Sequence, residues 1–153
     1  MEKFIFEIFE NIQFYNRYKQ LSDSTRKNEA RFEEIEKQKL LDILQSQGAN
    51  AKYISKGQFY NIEDFLNNWN LNLHLSIKYG LVEVILGGKN SDTGLIIGGP
   101  ASLICESIEY HKGIPSDGYI KNPSFGNYEI LKEIIREVLE IYSDFKKEIQ
   151  KIS

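Results

Sequence analysis

The chain has 153 residues, 41% of them hydrophobic and 27% charged, with 22 acids against 19 bases and a formal net charge of −3. That length fits one domain, and that balance argues against extended disorder and against broad phosphate-backbone binding, which needs a clustered excess of Lys and Arg. A single cysteine excludes an internal disulfide, so nothing points to an oxidising compartment.

The opening run, MEKFIFEIFENIQFYNRY, is apolar enough to raise the question of a signal peptide. Glu2, Glu7 and Glu10 interrupt it, and no basic lead-in or small-residue cleavage site accompanies it. No run of about 18 apolar residues occurs, so no membrane span is expected and the cytoplasm is the expected location. Phe4, Ile5, Ile8, Ile12 and Tyr15 recur at three- and four-residue steps, which predicts one amphipathic helix. Ser22 to Thr25 read as start signals for a second helix, with Gly48 as its stop. Its apolar positions (Phe32, Ile35, Leu40, Leu41, Leu44) form a broken stripe, and Glu33, Glu34 and Glu36 read as a solvated face.

AKYISKGQFY predicts a short strand with a turn at Gly57. Asn61 followed by Glu63 and Asp64 resembles a helix N-terminus, so a short helix is expected with Phe65, Leu66 and Trp69 facing inward. Leu71, Leu73, Leu75 and Ile77 then alternate with Asn72, His74, Ser76 and Lys78, the pattern of a half-buried antiparallel strand. Tyr79-Gly80 turns the chain and LVEVIL returns as the next strand. GGKNSDTG reads as the link to LIIGG. PASLICESIEY alternates again, Ala101, Leu103 and Cys105 against Ser102, Ile104 and Glu106, and is read as a strand. Residues 111–127 make a long connection holding two of the three prolines, and long connections in compact domains are often functional. Leu131, Ile134, Ile135, Val138, Tyr142, Phe145 and Ile149 predict a long closing helix with lysines near its C-terminal end.

These segments predict a single α+β domain over residues 1–153: an antiparallel sheet of about four to five strands packed with N-terminal helices and a long C-terminal helix. Within it, Gly98-Gly99 poses a choice between a phosphate loop, a nucleophile turn and a bend. No lysine follows until Lys112, and Ser102 lacks glycines two positions to either side. A dinucleotide fingerprint is set aside because GGPASL shows no helical pattern, so a bend in one strand, or a joint between two, is the reading.

No catalytic constellation emerges, and the chain is read as a non-enzyme needing no cofactor. His74 and His111 belong to no metal-ligand spacing. Cys105, on the apolar side of its segment, reads as a small core hydrophobe; a hydrolase acting through it or Ser102 is a distant third reading. Glu106, Glu109 and Asp117 are too ordinary a set to imply acid–base chemistry. Tyr110, Tyr119 and Tyr128 bracket the long connection together with Phe125, and tyrosine favours protein interfaces through large contact area and a polar tip.

The texture of NIEDFLNNW, the meander LNLHLSIKYGLVEVILGG and the closing LKEIIREVLEIYSDFKKEI resembles small bacterial immunity proteins of the contact-dependent and polymorphic toxin systems. That resemblance implies a non-enzymatic inhibitor that binds a cognate toxin domain, often a nuclease, and blocks its active site; the acidic balance predicts that this partner is basic, and charge and hydropathy predict no direct nucleic-acid or membrane partner. It transfers no residue, because no motif position is matched. From the residues themselves, the expected contact surface is Glu106, Glu109, Tyr110, His111, Asp117 and Tyr119, a strand end running into the long connection. The acidic helix around Glu33, Glu34 and Glu36 ranks second. The alternative function is a small ligand-binding or regulatory domain with a pocket between sheet and helix.

Overall fold

A computed structural model describes residues 1–25, 35–116, 118 and 120–153. The fold is α+β, with five antiparallel strands in a simple meander, β1-β2-β3-β4-β5. Helices α1 (Lys3–Asn11), α2 (Phe14–Thr25) and α3 (Lys37–Ser46) precede β1 (Lys52–Ile54), β2 (Phe59–Leu66), β3 (Trp69–Lys78), β4 (Leu81–Asn90) and β5 (Ile96–Pro100); α4 (Ala101–Lys112) and α5 (Tyr128–Lys151) follow.

The first stripe forms two helices instead of one. Gln13 takes φ 56°, a left-handed conformation that ends the α-helical run and redirects the chain. Ile5, Ile8 and Phe9 on one side of the bend and Phe14 and Tyr18 on the other enter the same core. Ser22 and Thr25 end α2; they do not start a second helix. Their hydroxyls hold the long connection: Ser22 donates to the Lys121 carbonyl, and the Ser124 amide donates to Thr25 Oγ1 at 3.1 Å. Phe32, Glu33 and Glu34 lie outside the described residues, whereas Glu36 is exposed just before α3 and Gly48 (φ 87°) follows that helix as the expected stop.

The helix expected at residues 61–69 is instead the second half of β2, a turn at Asn67-Asn68, and the start of β3. Seven consecutive pairs from Tyr60↔Leu75 to Leu66↔Trp69 bind the two strands, and this ladder outweighs local cap-like signals. Trp69 is buried as expected, but Phe65 points outward at 69% exposure. Tyr79 (φ 55°) and Gly80 (φ 72°) make the two-residue turn between β3 and β4, both in the conformation that matches strand twist. β4 also runs further than expected, through Gly87–Asn90. Its glycines permit close approach: a Cβ on Gly87 would lie 2.5 Å from the Ile97 carbonyl oxygen, and one on Gly88 2.3 Å from Leu71 Cδ2. Asn90 then closes the strand, its Oδ1 accepting from the amides of Asp92 (2.9 Å) and Thr93 (3.0 Å).

Leu71, Leu73, Leu75, Val82, Val84, Leu86 and Ile97 share one sheet face and pack into a continuous core with the helices. α5 supplies Leu131, Ile134, Ile135, Val138, Tyr142, Phe145 and Ile149 to it, capped at its start by Asn127 Oδ1 accepting from Ile130 N at 2.9 Å. The opposite sheet face carries Glu63, Phe65, Asn70, Asn72, His74 and Glu83 and adds nothing to that core.

Candidate functional site

The segment expected to bind a partner is not a strand end. PASLICESIEY opens helix α4, and Gly98-Gly99 is the joint between β5 and that helix. The bend reading therefore holds in kind, while the claim that no helix follows the glycines is corrected. Gly98 (φ 96°) and Gly99 (φ 148°) make the turn, and Pro100 (φ −56°) leads into the helix. Ala101, Ser102, Ile104, Cys105, Ile108 and Glu109 face inward at helical spacing. Gly113 (φ 69°) terminates α4, with the Ile114 amide donating to the Glu109 carbonyl at 2.9 Å.

Helical geometry divides the expected site. Glu106 and Tyr110, one turn apart, point outward, and Tyr110 is 91% exposed. Glu109 points inward and is buried, so it is no contact residue: its Oε2 accepts from the Tyr15 hydroxyl at 2.8 Å. His111 is exposed at its edge but lies flat on Phe6, with ring centroids 4.0 Å apart. Lys112 reaches Glu10 at 3.2 Å. Three contacts to α1 and α2 thus clamp the C-terminal half of α4 from behind and leave Glu106 and Tyr110 free in front. Asp117 and Tyr119 lie outside the described residues. Of the two described members of the acidic trio, Glu106 is a surface carboxylate and Glu109 is not. Phe125 is buried, with its amide donating to the Gly80 carbonyl at 2.9 Å, and Tyr128 receives Lys39 over its ring, 3.9 Å from the centroid.

Cys105 is on the inner side of α4. Burial, reinforced by the nearby Glu109 charge, pushes its thiol up to about 12, the opposite of what a thiolate nucleophile needs. Ser102 is also buried on that helix. His74 stacks on Phe59 at 4.4 Å, and burial lowers its pKa. Among the described residues no group of three or more His, Cys, Asp or Glu side chains is placed to hold a metal, and no helix is long and apolar enough to cross a membrane.

Two clefts were not visible in the sequence. One, of about 650 Å³, lies between the α1–α2 bend and α5. Arg17 bridges it, donating to Glu137 at 3.0 Å, Asp144 at 2.8 Å and the Ile12 carbonyl at 3.2 Å. Burial disfavours the Arg17 charge, but its bonds to Asp144 and Glu137 prevail and raise its pKa. The other, of about 310 Å³, lies between β2, the α3–β1 link and α5. There Asp64 accepts from Tyr142 at 2.8 Å and Lys146 at 3.3 Å, and Gln47 Oε1 is buried without a hydrogen-bond partner among the described residues. Only α5's periodicity hinted at these residues, because every side-chain pair among them joins segments far apart in the chain. Comparison of the chain with protein-family models, curated proteins and solved structures gave no match.

Proposed function

We propose that this protein is a toxin-neutralising immunity protein, binding a cognate basic toxin domain such as a nuclease and covering its active site with the outer face of α4. The observation that carries the reading is Tyr110: 91% exposed on a helix whose reverse side is clamped by the Tyr15–Glu109 bond and the Phe6–His111 stack. A large ring held outward on a rigid base loses little freedom on binding, the property of an interface anchor. Glu106, one turn away, adds the charge that a cationic cleft would attract, and the net charge of −3 favours encounter with a basic partner.

The test is co-expression with the product of any neighbouring gene that encodes a toxin domain, scored by growth rescue and by calorimetric affinity. Rescue, with Tyr110→Ala and Glu106→Lys together weakening binding by at least about 2 kcal/mol, is the expected result. Failure of the wild-type chain to bind or rescue refutes the function; unchanged affinity in the folded double variant refutes the surface. A second reading rests on the 310 Å³ cleft with its unpaired Gln47 oxygen: a small polar ligand held between β2 and α5. A thermal-shift screen favours it if a metabolite stabilises the chain and Gln47→Leu abolishes the shift.

A further inference from the structure

The smaller cleft, between β2, the α3–β1 link and α5, holds more acceptors than its own donors satisfy. Asp64 receives Tyr142 at 2.8 Å and Lys146 at 3.3 Å on the same oxygen, Oδ2, which leaves Oδ1 without a hydrogen-bond partner among the described residues. Gln47 donates through Nε2 to the Lys132 carbonyl at 3.2 Å, while its Oε1 is buried and unpaired. A buried acceptor that has given up water without gaining a donor is a standing cost to the fold, recovered when a donor arrives. The terminal torsion of glutamine is soft, and Gln47 lines the cleft, so a modest rotation turns Oε1 onto a donor there.

The principal donors already in place are committed. Burial and the bond to Asp64 raise the Tyr142 pKa, so the phenol keeps its proton and directs it at that carboxylate. Lys146 reaches the same oxygen and lies over the Tyr142 ring, 4.8 Å from its centroid. Glu63 also lines the cleft, and its charge is felt at Tyr142. Glu63 and Asp64 against Lys146 leave the lining with one net negative charge. We propose that this cleft binds a small aliphatic amine, its ammonium donating to Asp64 Oδ1 and Gln47 Oε1 and its hydrocarbon stem lying against Ile62 and Leu139.

The inference rests on the small-ligand reading above and gives that ligand a chemistry. The unused oxygens call for N–H donors, which a carboxylate or phosphate lacks. The net charge attracts a cation, and a charge-assisted hydrogen bond to a carboxylate is among the stronger polar contacts. Ile62 and Leu139 suit methylene groups, which a hydrated metal ion does not offer. A volume of about 310 Å³ stands at the small end of ligand pockets, which limits the stem to a few carbons. Entry is open from the side: β1 pairs with β2 only from Phe59 to Asn61, so Ile62 to Asp64 border the cleft on an edge that no strand covers. Lys146 competes for the same carboxylate, so the chain's own ammonium weakens the binding of another.

The experiment is calorimetric titration of the full chain with n-butylamine, n-butanol and butyrate, a cationic, a neutral and an anionic head on similar short stems. Each is taken to about 10 mM at fixed ionic strength, enough to fill a millimolar site. The expected result is binding of the amine alone, weakened at least about tenfold by Asp64→Asn and about threefold by Gln47→Leu, the losses of a charged and a neutral acceptor. Lys146→Met is expected to tighten it, an effect that a merely structural role for the Asp64 ion pair does not predict. Asp64→Asn keeps an oxygen for the Tyr142 hydroxyl, and circular dichroism checks that all three variants fold. No amine binding to the wild type or to Lys146→Met, or amine binding indifferent to Asp64→Asn, overturns the proposal. Binding of butanol or butyrate in place of the amine overturns the amine chemistry alone and leaves a small-ligand site. Failure of all three probes together with an empty metabolite screen removes that reading as well.

Discussion

Replacing Gly98 with alanine tests how β5 hands over to α4. Two separable penalties apply. The first is conformational: φ 96° is a region that L side chains rarely adopt, costing about 1–2 kcal/mol. The second is steric: the new Cβ would sit 2.0 Å from the Leu86 carbonyl oxygen and 2.7 Å from Gly87 Cα. These are backbone atoms of the β4 ladder and cannot swing aside as a side-chain tip does, so overpacking adds about 1–3 kcal/mol. Gly94→Ala is the control, because Gly94 also has positive φ (75°) but nothing within 4 Å of its Cβ position. The expected losses are about 2–5 kcal/mol for Gly98→Ala and about 1–2 kcal/mol for Gly94→Ala. Urea unfolding followed by circular dichroism reads both, provided the slopes agree with the wild type. If the two variants lose equal stability within about 0.5 kcal/mol, the close approach of Gly98 to β4 is refuted.

Tyr15→Phe leaves the buried Glu109 carboxylate without its 2.8 Å donor and is expected to lose about 1.5–3 kcal/mol in the same assay, with Glu109→Gln in the Phe background recovering part of it. Cys105, whose thiol is pushed up to about 12 by burial, is expected to resist a thiol-specific chromogenic reagent at pH 8 in the folded chain and to react at once in urea; rapid reaction of the native protein would contradict its packing. Glu148 is held below the usual carboxylate range by bonds from Lys151 (2.7 Å) and Asn11 (2.8 Å). A depressed folded pKa contributes stability above the unfolded value that is lost as pH falls through the folded one, so Asn11→Ala is expected to flatten the acid limb of the stability profile between them. An acid limb identical to wild type would show that the Asn11 bond does not stabilise the carboxylate.

Some of this architecture is written locally. The alternation from Leu71 to Ile77 specifies β3 because one sheet face meets the core and the other meets solvent, and the stripe from Leu131 to Ile149 specifies α5 for the same reason. Tyr79-Gly80 and Gly48 act through backbone conformations that belong to the residues themselves. The exposed half of the candidate site, Glu106 and Tyr110, was legible as composition without its helical geometry. Residues 101–106 alternate like a strand, yet Ala101, Ile104, Cys105 and Ile108 equally make a helical stripe; a short apolar run supports both periods. Packing decided between them, because the joint at Gly98-Gly99 places the segment over β4 and β5, where a helix can bury that stripe. Asn61, Glu63 and Asp64 carry helix-start chemistry but lie opposite His74, Asn72 and Leu71, and the β2–β3 ladder claimed them. The burial of Glu109 depends on Tyr15, 94 residues away, and the Arg17 bridge on Glu137 and Asp144, 120 and 127 residues away. Periodicity reports how one segment meets solvent. Which of two permitted conformations it takes, and which of its polar groups find partners, is set by neighbours that only the folded chain brings near.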